Sequence, residues 1–272
     1  YSIRALEEMS AGFDRVIVIP GNHDLYYRDK RDVQGIEWAK HLPNVELIND
    51  FHTEGDVLIA PWLVGDEHKR LPKFGAKYCF GHFELPGYFM NAMVQMPDLG
   101  EINPDRDLMG FEEVFTGHFH KRQSKGNVNY IGNAFPHNYA DASDDARGMM
   151  ILEWGKPSVY YTWEDQPTYR VYQLGDVLKN PDSLLRAGMH CRITLDIDIS
   201  YEEATFIKEE FIPKYNLREL TLIPNKDVDL NTHAFQGQVK FESVDQIVTQ
   251  QLEAISSEQY NRNLLMDIYR NL

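Results

Sequence analysis

The run Arg15–Pro20 (RVIVIP) is apolar at four successive positions, which predicts a strand buried on both faces. It stops abruptly at Gly21-Asn22-His23-Asp24. Before it, Ile3, Leu6 and Met9 recur at helical spacing, so residues 3–9 read as the end of a helix. After it, residues 33–42 read as helical, and short apolar strands are expected at 45–48 and 57–62. Two further strands, 78–80 and 114–116, end at Gly81-His82 and at Gly117-His118-Phe119-His120. Gly126-Asn127 separates two extended segments, and Gly155-Lys156-Pro157 separates 149–154 from 159–163, so both read as hairpins.

The pattern changes after about Thr168. Cys191, Ile193, Leu195, Ile197 and Ile199 alternate with polar residues, a period-two strand. Ser200 and Glu203 form a capping-box signature that opens a helix to about Tyr215, and 217–223 reads as another strand. Residues 225–238 are polar and turn-rich, a linker. Two amphipathic helices follow, one with Val244, Ile247, Val248 and Leu252 and one with Tyr260, Leu264, Leu265, Ile268 and Leu272. The expected fold class is layered α/β with two sheets, followed by a small β-α-β unit and a helical tail.

Three of the expected strands end in glycine followed by a side chain able to bind metal. In an open α/β sheet, sites form beyond the carboxyl ends of the strands, so three such ends can converge on one point. In extended geometry His118 and His120 face one side and Phe119 the other. A lone Gly-His is ordinarily a turn beside a histidine. Gly-Asn-His-Asp does not read as a hairpin turn, because the charged segment 25–32 after it is no alternating strand. Mixed nitrogen and oxygen donors of this kind suit Mn, Fe or Zn better than Ca or Mg.

Composition narrows the picture. The 272 residues include 27 basic and 42 acidic ones, a net charge of −15, which argues against a protein that coats nucleic acid by bulk charge. Two cysteines, Cys79 and Cys191, exclude a disulfide scaffold and suit a reducing cytoplasm. No stretch is apolar enough for a membrane span.

The motifs together, IPGNHDLYY, FGHFELPGYF and FTGHFHK followed by Tyr130-Ile131-Gly132-Asn133, resemble the calcineurin-like metallophosphoesterase superfamily. Within it they resemble the SbcD-type DNA nuclease subunits, among them those of T-even-like bacteriophages. The resemblance covers residues 1–165 and implies a two-sheet α/β sandwich there, a small α+β capping domain at 166–230 and an ATPase-docking helical tail at 239–272. It implies that Asn22, His82 and His118 hold one divalent metal and His120 another, both Mn2+ by preference with Mg2+, Fe2+ or Zn2+ as alternatives. It makes His23 the non-ligand histidine that contacts the scissile phosphate and assists the leaving oxygen, with Asp24 orienting that imidazole.

The implied activity is exo- or endonucleolytic hydrolysis of DNA in repair and recombination, in the cytoplasm of a bacterial or phage-infected host cell. The implied partners are DNA, an SMC-like (SbcC-type) ATPase and a second copy of the chain, with no membrane. The family's Asp-x-His and Gly-Asp-x-x-Asp motifs normally precede the GNHD motif and are absent here. The chain therefore reads as N-terminally truncated, with little expected activity of its own. A small-molecule phosphodiesterase or phosphatase on the same fold, and an inactive scaffold, are the competing readings.

Outside the motifs, His41, His52, His68, His190 and His233 sit in polar settings and read as solvated, as does the loop Gly65-Asp66-Glu67-His68. His137 reads as a surface histidine on a loop within reach of the site. Tyr88, Phe89, Met90 and Met93 read as a buried lid or core segment.

Overall fold

The computed structural model describes residues 2–224, so the expected linker from 225 onward and the two tail helices lie outside the described residues. Helix α1 (Ser2–Gly12) leads into β1 (Val16–Val18), which pairs in parallel with β2 (Val45–Leu47). Ile17 is 37% exposed, so β1 is not buried on both faces as its apolar run suggested. The reason is pairing: among the described residues β1 has one neighbour, β2. The helix expected at 33–42 is a single 3-10 segment, Glu37–His41. Residues before it are held as a loop by the Leu25–Gln34 bridge and by Arg31, which leaves too few residues for a longer ladder.

A six-stranded mixed sheet forms the centre. It is built from β3 (His52–Glu54), β4 (Val57–Ile59), β5 (Tyr78–His82), β6 (Glu113–Gly117), β7 (Gln123–Lys125) and β8 (Val128–Tyr130), in the order β3-β4-β5-β6-β8-β7. The inner pairs β4-β5, β5-β6 and β6-β8 are parallel, while the outer pairs β3-β4 and β7-β8 are antiparallel. The parallel strands therefore end at one edge. The β7-β8 hairpin turns at Gly126, whose φ of 59° lies in the left-handed region. A short helix, α2 (Pro104–Asp107), precedes β6 and is capped by the Asn103 side chain, which accepts from the Arg106 N–H at 3.2 Å.

One hydrophobic cluster fills the space under this sheet, with Leu58, Phe83, Leu85, Tyr88, Val114, Phe119 and Tyr130 among its buried members. Each such aromatic or leucine contributes about 1.5–3 kcal/mol by leaving water. Tyr88 is core as expected and Met90 packs partly buried against that core, but Phe89 and Met93 are exposed. The second hairpin, β9 (Met149–Ile151) with β10 (Val159–Tyr161), is antiparallel as expected. It carries Trp154 onto Tyr78 of β5, with ring centroids 4.4 Å apart. The expected second sheet is represented among the described residues by two separate pairs, β1-β2 and β9-β10.

A second cluster, around Leu174, Val177, Met189, Cys191, Ile193, Ile207 and Leu220, belongs to a parallel sheet of three strands. These are β11 (Thr168–Gln173), β12 (Met189–Leu195) and β13 (Glu219–Pro224), with α3 (Leu174–Lys179), α4 (Pro181–Leu184) and α5 (Tyr201–Tyr215) between them. The capping box is present: Ser200 Oγ accepts from the Glu203 N–H at 3.2 Å, and Glu203 Oε2 accepts from the Ser200 N–H at 2.7 Å. In β12 Met189, Cys191 and Ile193 point inward, as period two demands, but the strand ends at Leu195 rather than at 199. Strand β11 has no periodic signal, since its side chains are only partly buried or exposed.

Candidate metal centre

Sheet register brings the first two motifs together. His82 ends β5 and lies opposite Gly117, which ends β6. Neighbouring strands run about 4.8 Å apart, so the next residue, His118, stands beside His82, and their rings are 5.3 Å apart. The third motif reaches them through the segment after β4, where the Trp62 N–H donates to the Pro20 carbonyl at 2.9 Å. Gly21 packs directly on His82: a Cβ at Gly21 would lie 3.0 Å from His82 Nε2.

Asp24 closes the turn, its Oδ2 accepting from the Gly21 N–H at 2.7 Å. That hydrogen bond fixes the turn bearing Asn22 and His23. Asn22 Oδ1 then lies 3.3 Å from His82 Nε2 and 3.2 Å from His118 Nδ1.

His118 does not continue the strand. Its φ of 88° is rare for a residue with a side chain and marks local strain. The residue after it provides an anchor, since Phe119 is buried and stacks on Tyr130 at 4.9 Å. Trp62 leans on the His118 ring at 5.0 Å. Phe119 does not face away from both histidines as expected: its ring lies 5.0 Å from that of His118, because the positive φ at His118 breaks the extended geometry, and His118 and His120 do not share one set of neighbours.

Burial pushes the His82 imidazole down to about 4, with His23 adding repulsion. Burial likewise pushes His118 down to about 4, with His82, His23 and His120 adding to it. Both rings are therefore neutral near pH 7, the form in which imidazole offers a lone pair. Two neutral nitrogens and an amide oxygen converging within 3.3 Å are a donor set that fits a divalent cation of the Mn, Fe or Zn type. Among the described residues no group of three or more His, Cys, Asp or Glu side chains is arranged to hold a metal. The candidate donors are thus these imidazoles and the Asn22 oxygen. His23 is exposed at the mouth of the site.

His120 stands apart, beside groups that sequence reasoning missed. Its Nδ1 lies 3.6 Å from Asp141 Oδ1, and its ring is 5.4 Å from that of His137. His137 is exposed as expected, yet it adjoins His120. Asp141 is completely buried. Burial alone would raise its carboxyl, but the His137 N–H, the Asn133 amide and Arg147 outweigh that and hold it below the usual carboxylate range. Nothing in the sequence singles out Asp141 or Arg147, which lie in an irregular stretch.

A cavity of about 400 Å3 adjoins the site, lined by Trp62, His68, His82, Glu84, Glu101 and Arg106 among others. Glu84 is raised by burial and by Glu101. His68, expected to be solvated, is 9% exposed, because its 3-10 segment (Gly65–Lys73) turns His68 and Leu71 inward together.

No family model matches the chain. Among curated proteins, "Exonuclease subunit 1" of Enterobacteria phage T4 is 29% identical over 144 residues, which is 50% of this chain and 41% of that protein. The chain is thus a distant relative of a phage exonuclease subunit and spans less than half of its length. Among the described residues no helix is long and apolar enough to cross a membrane.

Proposed function

We propose that this chain belongs to the nuclease subunit of a metal-dependent DNA exo- or endonuclease of the SbcD type, acting in recombination with an SMC-like ATPase. The observation that carries this reading is the convergence of Asn22, His82 and His118 within 3.3 Å at the ends of strands distant in sequence. The similarity to the phage exonuclease subunit supports it.

On this reading Asn22, His82 and His118 hold one divalent cation and His120 contributes to a second. When bound, such cations neutralise a phosphodiester and make water a better nucleophile. The rest is work for the chain's own residues. Neutral imidazoles can turn a nitrogen lone pair to a cation by a tautomer shift, without a net loss of a proton. The strained backbone at His118, anchored by Phe119, keeps that ring aimed at Asn22. Exposed His23 contacts the scissile phosphate and supplies a proton to the leaving oxygen. Asp24 stiffens the turn on which His23 rides and so orients it.

The net charge of −15 is consistent with DNA held by the metal centre, a local groove and the partner rather than by the whole surface. The tail at 239–272 is the segment we assign to the ATPase, and two copies of the chain form the working unit.

Calorimetric titration of the chain with Mn2+ tests the centre. We expect saturable binding that His118→Ala abolishes, and absence of binding overturns the reading. We expect little cleavage by the chain alone, because His120 is a lone candidate donor for the second cation.

The cavity of about 400 Å3 beside His82 favours a second reading, a small-molecule phosphodiesterase, since it is of ligand-pocket size. Faster hydrolysis of a small chromogenic phosphodiester than of linear duplex DNA by the chain with Mn2+ would select it.

A further inference from the structure

Arg147 is the bulkiest of the fully buried side chains, and it is a cation. Burying a guanidinium is costly unless carboxylates meet it. Here Asp144 Oδ1 lies at 2.9 Å and Asp141 Oδ1 at 3.3 Å. The three form a charged cluster directly under the His120 loop. Asp141 Oδ2 is taken up by the His137 N–H at 3.0 Å and the Asn133 amide at 3.2 Å. Asp141 Oδ1 faces Arg147 on one side and His120 Nδ1 on the other.

His120 Nδ1 is buried and has no hydrogen-bond partner; the Asp141 oxygen at 3.6 Å is the acceptor nearest to engaging it.

The His120 backbone has no freedom left. Its N–H donates to the Met90 carbonyl at 2.8 Å, and its carbonyl accepts from the Asn133 N–H at 3.2 Å. Gly132, at φ +77°, passes so close that a Cβ there would meet the His120 carbonyl at 2.8 Å. The Asp141 loop is fixed from its other side as well. Arg192 of β12 lies 3.7 Å over the Tyr139 ring, and the Ser143 N–H donates to the Tyr169 carbonyl of β11 at 3.0 Å. With backbone and neighbours held, the ring's proton position is the remaining variable.

We propose that Asp141 is a positioning residue for His120: its carboxylate, fixed by Arg147, holds the imidazole with a proton on Nδ1 and leaves the Nε2 lone pair free as a ligand. The role of Nε2 rests on the metal-centre reading, whereas the proton position does not. A carboxylate behind a histidine is how proteins commonly set the tautomer and orientation of a ligand ring.

The test is a long-range 1H–15N correlation spectrum of the chain labelled at histidine nitrogen, at pH 8 without metal, with His120 assigned by its loss in His120→Gln. An ionised carboxylate 3.6 Å from Nδ1 favours a proton there and predicts an excess of the Nδ1–H form of about tenfold or more. In Asp141→Asn the excess is expected to disappear. A wild-type His120 that is mainly Nε2–H overturns the proposal, and so does an unchanged tautomer in Asp141→Asn. If that variant fails to fold, the wild-type spectrum decides alone. Absence of Mn2+ binding in a separate calorimetric titration would overturn the metal-centre reading and leave the tautomer result standing.

Discussion

Asn22, His82 and His118 come together on uncharged donors, with the half-buried Glu84 4.0 Å from His118 Nε2, whereas His120 sits over an ionised and fully buried Asp141 tied to a fully buried Arg147. In the first group parallel register sets His82 opposite Gly117, and the Trp62–Pro20 hydrogen bond with the packing of Gly21 on His82 brings Asn22 to them. The second is assembled by an irregular loop, where buried charges must satisfy one another. Neutral donors cost little to desolvate, so the first group can lose a member and the fold survives. Buried charges are expensive when unpaired, so the second group stands or falls together.

The largest effect is expected in the charged half. Arg147→Met leaves the fully buried Asp141 without its guanidinium partner, while Asp144 keeps Lys121 at 3.5 Å, and is expected to cost about 3–5 kcal/mol in urea unfolding. A loss below about 1 kcal/mol would erase the contrast between the halves.

An intermediate effect is expected from Arg31, which binds Glu67 through two contacts of 2.6 and 2.8 Å and donates to the Trp62 carbonyl at 2.7 Å. The pair is mostly but not wholly buried, so Arg31→Ala is expected to cost about 1–3 kcal/mol. It carries a pH signature. Burial tends to raise the Glu67 carboxyl, but Arg31 and the Val64 N–H outweigh it and hold the group below its ordinary value. The folded value is thus lower than the unfolded one. This contribution is complete above the unfolded value of about 4.5 and is lost as pH falls from there through the folded value. Unfolding curves of Arg31→Ala should therefore show a flatter acid limb than wild type.

Asp24→Ala removes one turn hydrogen bond, with an expected cost of about 1 kcal/mol. The strand-end group gives the smallest stability change. His82→Gln is expected to stay within about 1 kcal/mol of wild type, yet to weaken Mn2+ binding by at least about tenfold, as loss of a direct donor should exceed loss of an outer partner. A large loss of stability with intact Mn2+ binding would invert the comparison.

Legibility follows the same division. Gly21-Asn22, Gly81-His82 and Gly117-His118 stood out because each couples an apolar run to a glycine and a ligand type within a few residues. The hairpin at Gly126 and the Ser200–Glu203 capping box were legible for the same local reason. Asp141 and Arg147 were not, since they lie six residues apart in a turn-rich stretch with no period, and their pairing arises from burial alone. His68 was misread because a 3-10 turn, rather than a loop, rotates it inward. Ile17 was misread because apolar character does not reveal how many strands flank β1. Strand β11 escaped notice because its weakly buried side chains carry no alternation.

By itself, then, the sequence determined that the strands of the glycine motifs end beside His82 and His118, because turns, caps and alternation are set by neighbouring residues. Tertiary structure alone decided that His82 falls opposite Gly117, that Asn22 reaches both histidines, and that Asp141 lies under His120. Register and burial belong to pairs of segments, and no single segment encodes its partner.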